Sequence, residues 1–287
     1  MSSMFFLSLL SMFSLLNLDN PKLHRKTTPI TTVSANNADT NLTSHEASIQ
    51  NFRVNRTADS LIWSDEFETS GVPDPAKWGY DIGNGKGWGN NELEYYTSRP
   101  ENVIVANGKL KIMAKKESFN GSAYTSARLL SKGKFSFKYG RVEVRAKLPA
   151  GIGSWPAIWM LGGNISTVGW PACGEIDIME HRGKDLNKIF ATLHYPGHSG
   201  ENGNGSTTMI SNASTAFHKY SLDWSEDSIN MYVDDQLYHT VANNSSIPFN
   251  QDFFFILNLA IGGNFAGAVD PNLTSETMEI DYIRVYK

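Results

Sequence analysis

Only one cysteine, Cys173, occurs in 287 residues, so no disulfide can form within the chain and the fold has to rest on its buried core. Neither sign of charge is in large excess: 25 Lys and Arg stand against 29 Asp and Glu, a net charge of −4. That leaves no basic field to capture nucleic acid or another polyanion. The apolar run Met4 to Leu16 is too short to span a bilayer as a helix, although it has the length of the apolar centre of an export signal. No segment keeps a helical period over three turns, and there are no internal repeats or heptads.

Residues 1–17 therefore read as a signal peptide, which predicts a secreted, extracellular or periplasmic protein. No Lys or Arg precedes the run, and the small-residue pattern Val33-Ser34-Ala35 lies well downstream; the competing reading is an unstructured tail with a chance apolar patch. Residues 18–57 are rich in Asn, Thr and Ser and lack either hydrophobic period, which predicts a disordered leader or linker. From Leu61 the texture changes to short alternating segments punctuated by Gly, Asn and Pro. An all-β domain over 58–287 is expected. The strand pattern is clearest in Lys109 to Ala114, Phe135 to Leu148, Ser228 to Val241, Phe253 to Ile261 and Met278 to Tyr286. From Arg141 to Leu148 charged and apolar residues alternate, predicting one wet and one packed face, whereas Phe253 to Ile261 is apolar almost throughout and predicts burial on both faces.

The strongest chemical signal is Gly174-Glu175-Ile176-Asp177-Ile178-Met179-Glu180-His181. If Ile176 and Ile178 face the core, Glu175 and Asp177 share the opposite face. Glu180 follows Glu175 by five residues, an odd number, and would join the isoleucines in a regular strand. A buried unpaired carboxylate is too costly to be the default. A β-bulge at Ile178-Met179 restores the parity, and bulges concentrate beside active sites. Glycoside hydrolysis requires two carboxyl groups flanking the scissile bond, one ionised and one protonated. Glu175 is assigned as nucleophile and Glu180 as acid/base, with Asp177 between them raising the proton affinity of its neighbours. The spacing does not separate retention from inversion, and a decorated edge or a calcium site fits the same acids.

The aromatic surroundings favour a sugar cleft, since pyranose C–H faces stack on aromatic rings while hydroxyls need planar polar partners. Trp155 and Trp159 share a strand face upstream of the acids, and Trp170 immediately precedes them. The Gly-rich loop Gly83 to Tyr96 offers Asn84 and Asn90. Arg128 either binds sugar hydroxyls or pairs with a structural carboxylate. His194, on an expected neighbouring strand, is a candidate partner for the acid/base, or a satisfied core histidine.

The segments GSWPAIWML, WPACGEIDIMEH, ATLHY, LNLAIGGN and MEIDYIRVY resemble glycoside hydrolase family 16 in its laminarinase-like branch, over about Leu61 to Lys287. The resemblance implies a β-jelly-roll sandwich of two antiparallel sheets with a concave substrate cleft. It further implies retaining, endo-acting hydrolysis of internal β-1,3-glucosidic bonds through a glycosyl-enzyme intermediate. Glu175 then matches the nucleophile, Asp177 the assisting acid, Glu180 the acid/base, and Met179 the bulged branch. Mixed-linkage glucan, agar or carrageenan hydrolases and non-catalytic β-glucan-binding proteins remain alternatives; loss of a catalytic Glu would mark the last, and both are present. A calcium-dependent lectin is a further one. No cofactor is expected for catalysis. The resemblance places a structural Ca2+ at Glu66, the Gly108 carbonyl and Asp281, and the chain is expected to act as a monomer on a polysaccharide.

Overall fold

The computed structural model describes residues 59–287; the expected signal peptide at 1–17 and leader at 18–57 lie outside them. The first strands are β1 (Leu61–Asp65), β2 (Gly79–Asp81), β3 (Glu94–Tyr96), β4 (Val103–Val105), β5 (Leu110–Phe119) and β6 (Ser122–Ser126). Then follow β7 (Arg128–Leu130), β8 (Gly140–Lys147), β9 (Ser154–Gly162), β10 (Glu175–His181), β11 (Lys188–His194) and β12 (Asn204–Met209). The last are β13 (His218–Trp224), β14 (Ser228–Val233), β15 (Gln236–Ala242), β16 (Phe253–Ile261) and β17 (Ser275–Tyr286).

These strands make the two sheets of a β-jelly-roll sandwich. One, of ten strands, runs β15-β14-β13-β8-β17-β5-β6-β3, with β1 beside β17 and β4 beside β5; the other, of seven, runs β12-β11-β10-β9-β16-β7-β2. Pairing is antiparallel except between β3 and β6, which run parallel at the margin of the larger sheet. Alternation explains the layering. In β8, Val142, Val144 and Ala146 are fully buried, while Arg141, Arg145 and Lys147 turn outward and pair with Asp223, Asp281 and Glu279.

β16 lies between β9 and β7 and is buried along its whole length. Phe253, Phe255, Leu257 and Leu259 join the core between the sheets, whereas Phe254 and Ile256 pack on the other face with Leu161 and Cys173. Two expected strands are shorter or divided. Regular pairing of β8 begins at Gly140, after Tyr139 takes the left-handed conformation at φ 60°; Phe135 still reaches the core, stacked on Trp63 at 4.7 Å. The segment Ser228 to Val241 is a hairpin, because Asp234 and Asp235 both have positive φ (49° and 66°). Two such residues make the tight turn that suits a right-twisted hairpin.

The bulge in β10 is where the sequence places it. Against β9, Asp177 faces Trp159 and Met179 faces Ile158, leaving Ile178 as the extra residue; against β11, Asp177 faces Thr192 and Glu180 faces Phe190. Ile176, Ile178 and Met179 all enter the core, so Glu180 returns to the face of Glu175 and Asp177. Inserting an alanine after Met179 makes the spacing six, so a regular strand again puts Glu180 on the acidic face but shifts the rest of β10 by two residues against β9 and β11, destabilising the protein by about 1–3 kcal/mol. Deleting Met179 leaves an even spacing of four and is expected to give a folded protein with all three acids still on one face. Urea titrations of the two variants check this.

Candidate active site

The outer face of the seven-stranded sheet floors a cleft of about 860 Å³. Glu175, Asp177 and Glu180 rise from β10 at its middle, with Trp155 and Trp159 of β9 on one flank and Phe190, Thr192 and His194 of β11 on the other. Each indole has a hydrogen-bond partner. Trp155 Nε1 donates to Glu180 Oε1 at 2.9 Å, Trp170 Nε1 to Glu175 Oε2 at 3.0 Å, and Trp159 Nε1 to Asn258 Oδ1 at 2.8 Å. His194 Nε2 lies 3.3 Å from Asp177 Oδ2 and 3.7 Å from Glu175 Oε1. It thus serves the nucleophile end of the row, not Glu180 as expected from sequence, because its strand register sets it opposite Glu175.

Burial governs the protonation of the three acids. It pushes Glu175 well above the usual carboxyl range, with the charge of Asp177 adding and that of His194 opposing. Asp177 is also pushed well up, by burial and then by the charge of Glu180. Glu180 rises for the same first reason and is held back by the Trp155 N–H and the charges of His194 and Arg182. Three carboxylates cannot all ionise in this space at moderate cost. The row therefore holds protons to higher pH than free carboxyls do, as acid-assisted bond cleavage needs.

A family model described as "Glycosyl hydrolases family 16" matches residues 90–284. The chain belongs to that family. A β-glucanase of Rhodothermus marinus is 45% identical over 244 residues, covering 79% of this chain and 85% of its own. A glucan endo-1,3-beta-glucosidase of Cryptopygus antarcticus is 39% identical over 249 residues, with 78% and 90% covered. Among solved structures, the laminarinase catalytic domain of Thermotoga maritima superposes with a TM-score of 0.75 at 47% identity, covering 80% of this chain and 98% of that one.

Most of the site residues expected from sequence line this family 16 cleft: Trp155, Trp159, Trp170, Asn90, Arg128 and His194. Arg128 pairs with a carboxylate, its Nε 3.0 Å from Asp81, and its guanidinium sits 4.9 Å from the ring centres of both Trp88 and Trp159. Asn84 does not reach the cleft; it is exposed, and its Oδ1 accepts the Lys86 N–H within its own turn at 3.2 Å. The cleft also includes Trp88, Glu92, Arg182, Phe190, Asn258 and Phe265, which were not selected from the sequence. Asn258 had a visible signal, being the lone polar residue in Phe253 to Ile261. Phe265, 5.0 Å from Trp155 and 5.1 Å from Phe190, had none.

The two carboxylates expected to hold calcium have arginine partners. Glu66 takes the Arg284 guanidinium on both oxygens, at 3.0 and 2.8 Å, and Asp281 takes Arg145. Two carboxylates already neutralised by arginine do not fit a hard cation, and Gly108 occupies the turn between β4 and β5. Glu175, Asp177 and His194 each bring a ligand atom within 4.8 Å of the others, but a cation there would take the carboxylate that a nucleophile must keep free.

A carboxyl whose pKa is higher in the folded protein than in the unfolded chain contributes no penalty below the ordinary carboxyl range. It costs stability increasingly as pH rises from that range toward the folded-state value. Asp177→Asn is therefore expected to raise Tm at about pH 8 by on the order of 3 °C or more, with no gain at about pH 4. Thermal unfolding at the two pH values measures it.

Proposed function

We propose that this family 16 enzyme cuts internal β-1,3-glucosidic bonds of laminarin-like polysaccharides with retention of configuration. The observation that carries the reading is the row of three carboxyls on β10, opened by the bulge and gripped by indole N–H groups at both ends. In the first step the Glu175 carboxylate attacks the anomeric carbon, and Glu180 gives its proton to the leaving oxygen as that bond breaks. In the second, Glu180 takes a proton from water, whose oxygen displaces Glu175 from the sugar. His194 Nε2 stands 3.7 Å from Glu175 Oε1, so the charge of Glu175 can be supported as the ester forms and breaks.

Endo action is supported by the position of β10 within its sheet, with strands on both sides of the acids. A polysaccharide crossing the strands can extend in both directions. Export under the direction of residues 1–17, with residues 18–57 as leader and 58–287 as catalytic domain, is part of the same proposal, as is action as a monomer.

Glu175→Gln is expected to keep glucan affinity within about threefold while lowering turnover about 10³-fold or more. Reducing-sugar release from laminarin, with oligosaccharide binding by calorimetry, checks both halves. Wild-type protein tested on mixed-linkage glucan, agarose and carrageenan beside laminarin is expected to prefer laminarin; equal or faster release from agarose would overturn the substrate assignment.

A further inference from the structure

A second buried polar network lies away from the catalytic row. Its hydrogen bonds can run in only one direction. The Trp159 indole N–H can only donate, and it donates to Asn258 Oδ1 at 2.8 Å. The amide of Asn258 is thereby oriented, and its Nδ2 donates to the Tyr96 hydroxyl oxygen at 3.0 Å. That hydroxyl must pass its own proton onward, to Glu92 Oε2 at 3.0 Å. Asn90 Nδ2 donates to the other oxygen, Glu92 Oε1, at 3.3 Å. Tyr96 is fully buried, and Asn258 and Glu92 are only 5% and 9% exposed. Every proton on this path points toward the Glu92 carboxylate, which lines the cleft.

Behind it lies Glu94, fully buried. Glu94 Oε2 accepts the Ile261 N–H at 2.7 Å, but Oε1 meets no neighbouring N–H or O–H donor, only the carboxyl of Glu92. Two carboxyl groups in contact out of water must share a proton. Burial, then the charge of Glu92, pushes Glu94 well above the usual range. Glu94 is therefore the member of the pair that holds a proton more readily, and the hydrogen bonds to Glu92 from Tyr96 and Asn90 both arrive from the protein.

We propose that Glu92 is a substrate-binding carboxylate of the cleft, accepting a sugar hydroxyl, with Tyr96, Asn258 and Glu94 acting as its positioning residues. This rests on the reading of the enzyme as a glucan hydrolase. The site is distal: Glu92 bridges Gly262 at the end of β16, on the side away from β9, three strand spacings from β10, roughly 14 Å at about 4.8 Å per strand. A contact so far from the broken bond is made equally in ground and transition states, so its loss raises KM and leaves kcat.

The test is steady-state kinetics on laminarin with the full-length chain. Glu92→Gln is expected to raise KM about tenfold, the loss of one charge-assisted hydrogen bond, with kcat within about twofold. Tyr96→Phe, which removes a donor to Glu92, is expected to raise KM about threefold. Glu94→Gln is expected to match wild type, because an amide supplies the same donor to Glu92 and the same acceptor to Ile261. Glu94→Leu, if it folds, is expected to resemble Tyr96→Phe. An unchanged KM in Glu92→Gln overturns the proposal, as does a Glu94→Gln variant as impaired as Glu92→Gln, which would mean an ionised Glu94. A wild type that releases no sugar from laminarin overturns the functional reading and this inference together.

Discussion

Ionising several carboxyl groups that have been removed from water is expensive, and the arrangement of the smaller sheet follows from that cost. Glu175, Asp177 and Glu180 stand in one row on β10, above a strand face that is entirely hydrocarbon. With little access to water they are relieved mainly by keeping protons or by taking donors from the protein. The Trp155 and Trp170 indoles supply one N–H each, and His194 approaches from β11. What remains is a set of acids that holds protons more tightly than free carboxyls do, a property useless for stability and required for cleaving an acetal with acid assistance.

The same economy shapes the neighbouring network. Glu94 lies fully buried behind Glu92, and burial with the charge of Glu92 pushes its carboxyl well above the usual range. The two clusters are joined through Trp159, whose strand partner on β10 is Asp177 and whose indole feeds Asn258 on the distal side. Aromatic residues in this cleft are therefore more than surfaces for sugar rings. The N–H edges of Trp155, Trp159 and Trp170 fix polar side chains at the floor of the cleft.

Much of this was legible from local pattern. Alternation over Arg141 to Leu148, the apolar run of β16 and the odd spacing from Glu175 to Glu180 each have a single inexpensive backbone solution, and the chain adopts it. Less legible were features that depend on which strands become neighbours. His194 was visible as a candidate, but its alignment with Glu175 comes from the pairing of β10 with β11. Asn84 and Asn90 looked equivalent in the Gly-rich loop; only Asn90 turns to Glu92, while Asn84 closes its own turn. Glu66 and Asp281 looked like free acids until Arg284 and Arg145 arrived from adjoining strands.

The sequence by itself determined that β10 would carry three acids on one face above a hydrocarbon face, since side-chain parity and the penalty for a buried charge are local constraints. It likewise determined an all-β domain closed without disulfides. Tertiary structure decided which donor each acid receives, that Glu94 lies against Glu92, and that the expected calcium ligands are held by arginines. Those outcomes turn on distances of a few ångströms between residues far apart in the chain, and no periodicity along one strand encodes them.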